Sequence, residues 1–318
     1  MKFLPGQLDI SLMRVAIYGY GKVGQAVFKA LPGQVVGVVD KRPVEAPGVR
    51  IAQLETRQAL PWREWDVDLV IDATGSTLDR AQAAEHLTAG AQRVLVTASL
   101  PDPDATLIYG LNHQQFDPLR HLIISASSCT TACLAPVLAL IDEKYGLRSL
   151  TINLQHGYNP LNHDGDLDLG RIAEGDRVYL AMNAAGGWKL VPYGTNLAKN
   201  LVTVQPQLAG RKIRAVGHYI PQPGVLIIQC TANIGREVEK EPFNAQMADW
   251  ATGALRGQLV TAIGQYTGEI IPGETAPTIF WPHNTVAGHG RLFIVVGGDY
   301  ISGYAGHVAG LANQIGLV

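Results

Sequence analysis

Apolar and polar positions alternate in blocks between Met13 and Ile124. Short, nearly all-apolar runs are each followed by a helical or turn segment, and such runs are typical of a parallel sheet that is covered on both faces. The segment Leu78–Gly90 carries apolar side chains at helical spacing and ends at a glycine, which predicts a helix. This order predicts a doubly wound α/β nucleotide-binding domain. The predicted strands are MRVAIY, QVVGVVD, VDLVIDAT, RVLVTAS, ATLIYG and HLIIS.

The pattern changes after Cys133, where longer strand candidates follow one another without regular intervening helices. This arrangement predicts an α+β domain with a mixed or antiparallel sheet. We therefore place the nucleotide-binding domain at residues 1–128 and a catalytic domain at residues 129–302. The strand candidates are SLTINLQ, KIRAVGHYI and GVLIIQCTANI, and a helical segment is predicted at Asn244–Thr261.

The composition agrees with two domains. A chain of 318 residues, 47% of them apolar, exceeds the size at which single cores usually stop growing. Only 16% of the residues are charged, and the 25 basic and 27 acidic side chains nearly cancel. This balance argues against a nucleic-acid-binding surface. The low charged fraction is typical of chains with extensive subunit contacts, and it favours an oligomer.

Cysteine content and apolar patterning indicate a compartment. Three cysteines are too few for a disulfide framework in a chain of this length, which indicates a reducing cytoplasm. The N-terminal residues lack the charged start and apolar core of a secretory signal. The uncharged stretch Leu122–Ile141 is long enough to span a bilayer. Its polar middle, SASSCTTAC, and Pro136 favour a strand followed by a buried helix instead, so we expect a cytoplasmic protein without a membrane segment.

A glycine motif, GYGKVG, follows the predicted strand Arg14–Tyr18 and precedes the helical segment Gln25–Leu31. In this context the glycines permit a tight turn, close approach of a pyrophosphate and close helix packing, while the helix N-terminus offers N–H donors. The motif predicts a dinucleotide site, although a glycine turn in a nucleotide-free fold can carry the same letters. The predicted cofactor-binding residues are Gly19, Tyr20, Gly21, Lys22, Val23, Gly24, Asp40, Thr74, Gly75 and Ser99.

Asp40 closes the next predicted strand. Its distance from the motif is close to the customary spacing of about 20 residues for a carboxylate that binds ribose hydroxyls. A carboxylate would repel a 2'-phosphate, which favours NAD. Lys41 and Arg42 follow immediately and can neutralise that phosphate, so NADP stays open.

Cys129 is the candidate nucleophile, in the run SASSCTTACLAP between a strand and an apolar helical segment. Ser127 and Ser128 are good N-cap residues, which places Cys129 in the first turn of the helix, where the dipole favours a thiolate. Lowering the thiol pKa from about 8.5 to about 6.5 takes roughly 2.7 kcal/mol, whereas a helix N-terminus supplies about 0.3–1 kcal/mol. A second group is therefore needed.

His156, at the end of the predicted strand SLTINLQ, is the candidate for that group. An imidazolium beside the thiolate would supply the remaining shift and then act as acid or base. Taken alone, a cysteine is most often a small core residue and a histidine is usually structural, so both interpretations stay open here. Cys133, one helical turn beyond Cys129, is a packing residue, a resolving thiol or part of a metal pair. Because partners at ligand spacing are missing, no metal site is predicted.

The run SASSCTTACLAP resembles the active-site signature of the glyceraldehyde-3-phosphate and erythrose-4-phosphate dehydrogenases. Segments similar to the same family follow in the same order along nearly the whole chain from Met13. The resemblance implies a Rossmann domain, a catalytic domain whose C-terminal helix, residues 303–318, packs back on the first domain, and a homotetramer. The similar segments are YGYGKVGQ, IDATG with TLDRAQAAEHLTAGAQRVLVTAS, YGLNHQQFD and PQLAGRKIRAVGHYIPQPGV.

The resemblance also implies an activity. Cys129 would attack an aldehyde to form a thiohemiacetal, hydride would pass to NAD(P), and the thioester would be released to phosphate or water. The Cys129 N–H and protonated His156, which matches the family's catalytic histidine by position, would hold the oxyanion. The residues implied for substrate and phosphate are Ser128, Thr130, Tyr193, Gly194, Thr195 and Tyr219.

Departures from the family pattern concern the substrate and the cofactor. Tyr219 stands where the family has a phosphate-binding arginine, and a tyrosine offers one hydrogen bond without a charge or a fork. The threonine-rich phosphate turn reads PYGT, and Tyr300 replaces an asparagine that anchors the nicotinamide amide. We therefore expect an aldehyde other than glyceraldehyde 3-phosphate.

Three functions stay open on this sequence. The first is a phosphorylating aldehyde dehydrogenase with an altered substrate pocket. The second is a semialdehyde or acyl-phosphate reductase of the same fold. The third is a cofactor-binding protein of low activity, used in regulation or assembly. The retained Cys129 and His156 favour the enzymes, whereas Tyr219 and Tyr300 favour the third function.

Overall fold

The computed structural model describes residues 13–157, 191–220, 222–262 and 273–317. The chain divides into two compact units. Among the described residues, the first unit contains 13–107, 112–127 and 308–317, and the second contains 108–111 and the residues from 128 to 307.

The first unit is built on a seven-stranded sheet in which every neighbouring pair is parallel. The strands are β1 (Val15–Tyr18), β2 (Val35–Asp40), β3 (Arg50–Gln53), β4 (Leu69–Asp72), β5 (Arg93–Val96), β6 (Ala105–Thr106) and β7 (Ile123–Ser125). Their order in the sheet is β3-β2-β1-β4-β5-β7-β6. All residues of β1 and β4 are buried, as their continuous apolar runs predict. The predicted parallel α/β sheet is therefore confirmed.

Strand β3 is one that the sequence pattern misses. Its residues, RIAQ, are mostly exposed and lie at the edge of the sheet, so they carry neither an apolar run nor a clear alternation. Two helices of this unit agree with prediction, α1 (Lys22–Ala30) and α2 (Arg80–Thr88). The side chain of Asp79 caps α2 by accepting the backbone N–H of Gln82 at 2.9 Å.

The second unit contains a mixed sheet, which confirms the predicted α+β arrangement. Strand β8 (Leu147–Gly157) pairs in parallel with β10 (Lys212–Ile220) and antiparallel with β11 (Val225–Ile234). The other strands are β9 (Val191–Tyr193), β12 (Leu259–Thr261), β13 (Thr278–Phe280), β14 (Val286–Gly288) and β15 (Arg291–Asp299). Their order is β12-β13-β15-β11-β8-β10-β9, and β14 pairs with β15.

The helices of this unit differ from prediction at one point. The helix predicted at Asn244–Thr261 runs instead from Lys240 to Thr252, and Leu259–Thr261 forms β12. Gly253 follows the helix, and Gly257 has a φ of +76°, a conformation that favours glycine and cannot continue a helix. The described helices from residue 128 onward are α3 (Cys129–Tyr145), α4 (Leu197–Val204), α5 (Lys240–Thr252) and α6 (Ser302–Gly316), and none of the described helices has the length and apolar character to cross a membrane.

Candidate active site

Cys129 is the first residue of α3. Ser128 is the N-cap: its backbone is extended, and its Oγ accepts the backbone N–H of Thr131 at 3.3 Å. The same oxygen lies 3.0 Å from Thr130 Oγ1 and 2.8 Å from Thr131 Oγ1. The hydroxyls of Ser128 and Thr130, two residues implied for the substrate, are thus engaged with each other at the start of the helix that carries the thiol.

The thiol faces a histidine. His156 is the penultimate residue of β8. Its Nε2 lies 3.6 Å from Cys129 Sγ, and its Nδ1 lies 3.0 Å from the carbonyl oxygen of Gly157. A carbonyl oxygen only accepts, so Nδ1 carries the ring proton in this contact. In the neutral ring Nε2 is then the acceptor, and it is directed at the thiol. The two residues that the sequence singled out, 27 positions apart, are brought together.

The electrostatics of the thiol differ from the sequence-based expectation. Cys129 keeps partial exposure, but burial of its sulfur raises the pKa of the thiol to about 11. Hydrogen bonds from the backbone N–H groups of Thr130 and Cys129 lower that pKa without offsetting the burial. Burial thus opposes the thiolate that the helix N-terminus favours. His156 is the group positioned to take the proton.

Two tyrosines contact the ring of His156 in this unit, and a third tyrosine stacks on one of them. Tyr219 lies beside it in the β8–β10 register, with ring centroids 6.1 Å apart and an edge-to-face arrangement. Tyr193 stacks on Tyr219 at 4.1 Å with an interplanar angle of 19°. The ring of Tyr300 also contacts His156, with ring centroids 4.3 Å apart and an interplanar angle of 36°. The positions at which the sequence departs from the family pattern therefore cluster around one catalytic candidate.

The remaining predicted substrate residues lie on the segment before α4. Gly194 is exposed, and Thr195 Oγ1 accepts the backbone N–H of Leu197 at 3.2 Å, so this hydroxyl holds the start of the helix. A role for Gly194 and Thr195 in substrate binding stays a prediction.

Cys133 lies one turn further along α3. Its side chain is buried, its Sγ donates to the carbonyl oxygen of Gly297 at 3.6 Å, and burial raises the pKa of its thiol to about 12. Of the alternatives open on the sequence, these contacts favour a packing residue. Within the described residues, no group of three or more His, Cys, Asp or Glu side chains is arranged to hold a metal ion.

The glycine motif in the first unit forms an open cradle. Gly19 has a φ of +92°, and a Cβ there would lie 2.7 Å from the backbone nitrogen of Thr74, so a side chain is excluded. A Cβ on Gly24 would overlap the carbonyl oxygen of Gly19. Gly21, the N-cap of α1, has nothing within 4 Å of a built Cβ, and no side chain caps this helix. The residues fit a pyrophosphate at a helix N-terminus.

The other residues of the motif have distinct places. The side chain of Tyr20 is buried and packs edge-to-face on Phe28, with ring centroids 5.7 Å apart. Lys22 is exposed and Val23 is half-buried at the start of α1. Ser99 is exposed just beyond β5, at the same edge of the sheet as the glycine turn.

Asp40 ends β2 next to the glycine turn and is 5% exposed. Its Oδ2 accepts the backbone N–H of Tyr20 at 2.6 Å, and its Oδ1 accepts the backbone N–H of Arg42 at 2.9 Å and the Arg42 Nε–H at 3.3 Å. Burial pushes the pKa of Asp40 upward, but these donors outweigh it and hold the pKa below its usual range. Asp40 is thus an ionised, oriented carboxylate whose charge is partly balanced by Arg42.

A buried polar network behind the Thr74 turn was not anticipated from the sequence. Asp72, at the end of β4, accepts bonds from the Thr74 backbone N–H at 3.1 Å and the Thr74 hydroxyl at 2.6 Å, and also from the Thr77 hydroxyl. His86 Nε2 lies 3.2 Å from Asp72 Oδ2, and Trp62 Nε1 donates to His86 Nδ1 at 2.9 Å. An aspartate that closes an otherwise apolar buried strand is the signal that could have revealed this network.

The model of the glyceraldehyde 3-phosphate dehydrogenase C-terminal domain matches residues 128–294, which is more than half of the chain. The chain belongs to the glyceraldehyde-3-phosphate dehydrogenase family. The resemblance inferred from SASSCTTACLAP is confirmed.

Individual relatives support the same assignment. The chain is 32% identical over 257 residues to glyceraldehyde-3-phosphate dehydrogenase 2 of Nostoc sp., covering 80% of this chain and 74% of the relative. It is 31% identical over 280 residues to glyceraldehyde-3-phosphate dehydrogenase 2 of Bacillus subtilis, covering 78% and 80%. It is 28% identical over 340 residues to glyceraldehyde-3-phosphate dehydrogenase of Streptomyces coelicolor, covering 96% and 98%. The similarity thus extends over both units of the chain.

Proposed function

We propose that this protein is an NAD(P)-dependent aldehyde dehydrogenase that acts through Cys129 and His156. The observation that carries the proposal is the contact of 3.6 Å between Cys129 Sγ and His156 Nε2, with Nδ1 bonded to the Gly157 carbonyl oxygen. A buried thiol facing an acceptor nitrogen is the arrangement of a nucleophile and its general base. Residues placed only for packing have no need of this orientation.

The raised pKa of Cys129 determines how the first step runs. A thiol with a pKa of about 11 is not ionised at neutral pH, so its proton moves to His156 Nε2 as the sulfur attacks the aldehyde carbon. The attack forms the C–S bond of a thiohemiacetal and leaves an imidazolium. The Cys129 backbone N–H and the imidazolium are the donors for the oxygen of the former carbonyl group.

Tyr300 supports the imidazolium. Its ring centroid is 4.3 Å from that of His156, within the range at which an aromatic ring attracts a cation. The imidazolium then returns its Nε2 proton to the oxygen of the former carbonyl group, which completes the thiohemiacetal hydroxyl. When the carbon loses its hydride, the imidazole takes this hydroxyl proton again and the thioester forms. Phosphate or water then attacks the thioester carbon, and the Cys129 sulfur leaves and takes the proton back from His156.

The cofactor would bind at the glycine motif and supply the acceptor for the hydride that leaves the thiohemiacetal carbon. The Gly19–Gly24 turn would hold the pyrophosphate and Asp40 the ribose hydroxyls, with Thr74, Gly75 and Ser99 at the same sheet edge. The Asp40 carboxylate favours NAD. Because Arg42 already pairs with Asp40, a 2'-phosphate would meet a guanidinium as well as a carboxylate, which keeps NADP open.

Further properties of the family belong to the same proposal. We infer a cytoplasmic homotetramer that acts on a small aldehyde, with inorganic phosphate as a candidate acyl acceptor. We further infer a nucleotide-binding domain at residues 1–128 that includes the terminal helix, and a catalytic domain at residues 129–302.

The experiment is an aldehyde panel with NAD and with NADP, each with and without phosphate, on the intact protein and on Cys129→Ser. A Cys230→Ala variant serves as the control, since Cys230 is a second buried cysteine on β11. We expect oxidation in the intact protein and the control, and a trapped acyl adduct on Cys129 in the mass spectrum. Full activity in Cys129→Ser would refute the proposal. Turnover confined to the reverse direction, from an acyl phosphate, would assign the reductase function instead.

A further inference from the structure

Two neighbouring strands, β9 and β10, present one aromatic surface beside His156, which faces Cys129. Gly217 of β10 pairs with Tyr193 of β9, and Tyr219 follows two residues later on the same face. In the parallel pairing of β10 with β8, Tyr219 is opposite His156. We name Tyr193, Gly217 and Tyr219 the aromatic wall.

The wall depends on the absence of a side chain at Gly217. A Cβ at this position would overlap Cε1 and Cζ of Tyr193 and would lie 2.9 Å from its hydroxyl oxygen. The ring of Tyr193 therefore lies across the backbone of β10, where it stacks on Tyr219 with centroids 4.1 Å apart. A side chain at Gly217 would displace the ring of Tyr193 and end its stacking on Tyr219, so the three residues form a single unit.

The chemistry of the wall is unsuited to a phosphate group. A tyrosine carries no charge, and the face of its ring is the negative side of a quadrupole, which repels an anion. The same faces attract flat or apolar groups by dispersion and by offset or edge-to-face contacts. Tyr193 and Tyr219 both retain partial exposure, so the wall is accessible from solvent.

We propose that the aromatic wall binds the body of an uncharged aldehyde with a flat apolar group, of the class of benzaldehyde, while Cys129 attacks its carbonyl carbon. The position of the wall follows from the edge-to-face contact of Tyr219 with His156 at 6.1 Å. The assignment of the carbonyl to Cys129 rests on the proposed function. The binding of a flat apolar group to the aromatic wall does not depend on the proposed function.

The first arm of the test measures kcat/KM for benzaldehyde, acetaldehyde and glyceraldehyde 3-phosphate in the intact protein, Gly217→Ala and Tyr219→Leu. Val216→Ala is the matched control, because Val216 is 44% exposed and lies on the opposite face of β10. We expect benzaldehyde to be the best of the three substrates. The ratio of benzaldehyde to acetaldehyde turnover should fall about tenfold in Gly217→Ala and in Tyr219→Leu, and stay unchanged in the control.

The second arm needs no turnover. Cys129 is alkylated with iodoacetamide in the presence of benzyl alcohol or inorganic phosphate, and the labelled peptide is quantified by mass spectrometry. Benzyl alcohol should protect the thiol in the intact protein and in Val216→Ala, and protect it less in Gly217→Ala and Tyr219→Leu, whereas phosphate should not protect it. Circular dichroism confirms that each variant is folded. If Gly217→Ala does not fold, the protection measured in Tyr219→Leu decides whether the aromatic wall binds benzyl alcohol.

The outcomes separate the two proposals. Protection by benzyl alcohol without oxidation of any aldehyde would refute the proposed function and leave the aromatic wall supported. Faster turnover of glyceraldehyde 3-phosphate than of benzaldehyde, protection by phosphate alone, or equal ratios in Gly217→Ala and Val216→Ala would overturn the inference.

Discussion

Two histidines, one in each unit, are held in contrasting ways. His86 is fully buried, with Nδ1 accepting from Trp62 and Nε2 facing Asp72. His156 is partly exposed, with Nδ1 donating to the Gly157 carbonyl oxygen and Nε2 facing the Cys129 thiol. Both side chains have defined tautomers, because the partner of Nδ1 is a pure donor in one case and a pure acceptor in the other.

The difference separates a histidine held in a buried network from one that faces a thiol. Trp62 can only donate, so His86 carries its ring proton on Nε2, and this N–H donates a hydrogen bond to the Asp72 carboxylate. In His156 the nitrogen that faces the thiol is the acceptor, so it can take up the proton of that thiol. His86 is the more deeply buried of the two histidines, so burial alone would have favoured it as a functional residue. The direction of the hydrogen bonds identifies His156 as the candidate base.

The largest expected effect comes from removing the His156 nitrogen that faces the thiol. His156→Gln should lower kcat/KM for aldehyde oxidation by about 10²–10⁴-fold, because the thiol loses its proton acceptor. The measurement is steady-state kinetics together with the pH profile of Cys129 alkylation. His283→Gln, at an exposed histidine of the same unit, is the control. Equal kcat/KM values in His156→Gln and His283→Gln would show that His156 is not the base, and the contrast with His86 would have no functional meaning.

Removing the structural histidine should instead affect stability. His86→Leu leaves the Trp62 N–H without its acceptor and takes from Asp72 one of the hydrogen bonds that it accepts in the core. We expect the free energy of unfolding to fall by about 3 kcal/mol. Urea denaturation measures this change. Ala81→Leu, at an exposed position of α2, should change it by less than about 0.5 kcal/mol. A loss confined to catalysis would contradict the structural role.

The network also predicts a pH dependence. Burial pushes the pKa of Asp72 upward, but the hydrogen bonds from His86, Thr74 and Thr77 outweigh it and leave the pKa below its usual value. A depressed carboxyl pKa stabilises the fold above the unfolded-state pKa of about 4, and this stability is lost as the pH falls through the folded-state pKa. The difference in unfolding free energy between the intact protein and Asp72→Asn should therefore shrink below about pH 4. A constant difference down to pH 2 would show that the charge does not matter.

The smallest effect concerns the ring beside His156. Tyr300→Leu should slow aldehyde oxidation several-fold and shift the pH profile of Cys129 alkylation upward, because the imidazolium loses a cation–π contact worth about 0.5–1 kcal/mol. Tyr300→Phe keeps the ring and should retain the profile of the intact protein. Identical profiles in all three proteins would show that Tyr300 only fills space.

Much of the fold and of the site was predictable because its signals are local. The continuous apolar runs of β1 and β4 predict buried parallel strands, and the serine before Cys129 predicts the start of α3. The exposed edge strand β3 and the short strand β12 were missed or misassigned. Their residues carry no pattern of their own and become strands through pairing with β2 and β13.

The site required longer-range information. Trp62 and Asp72 are 24 and 14 positions from His86, and Tyr193 is 24 positions from the glycine over which its ring lies. Such contacts leave no periodic trace in a single sequence. The departures at Tyr193 and Tyr219 were visible as letters, and only their stacking shows that they form one surface with Gly217.

By itself the sequence determined the glycine turn, the capped cysteine helix and the family, since glycine conformation and helix capping act over a few adjacent residues. Tertiary structure decided the burial of the thiol, the direction of the histidine hydrogen bonds and the stacking of the aromatic wall. The reason is physical: desolvation and ring stacking depend on which atoms surround a group, and those atoms come from distant parts of the chain.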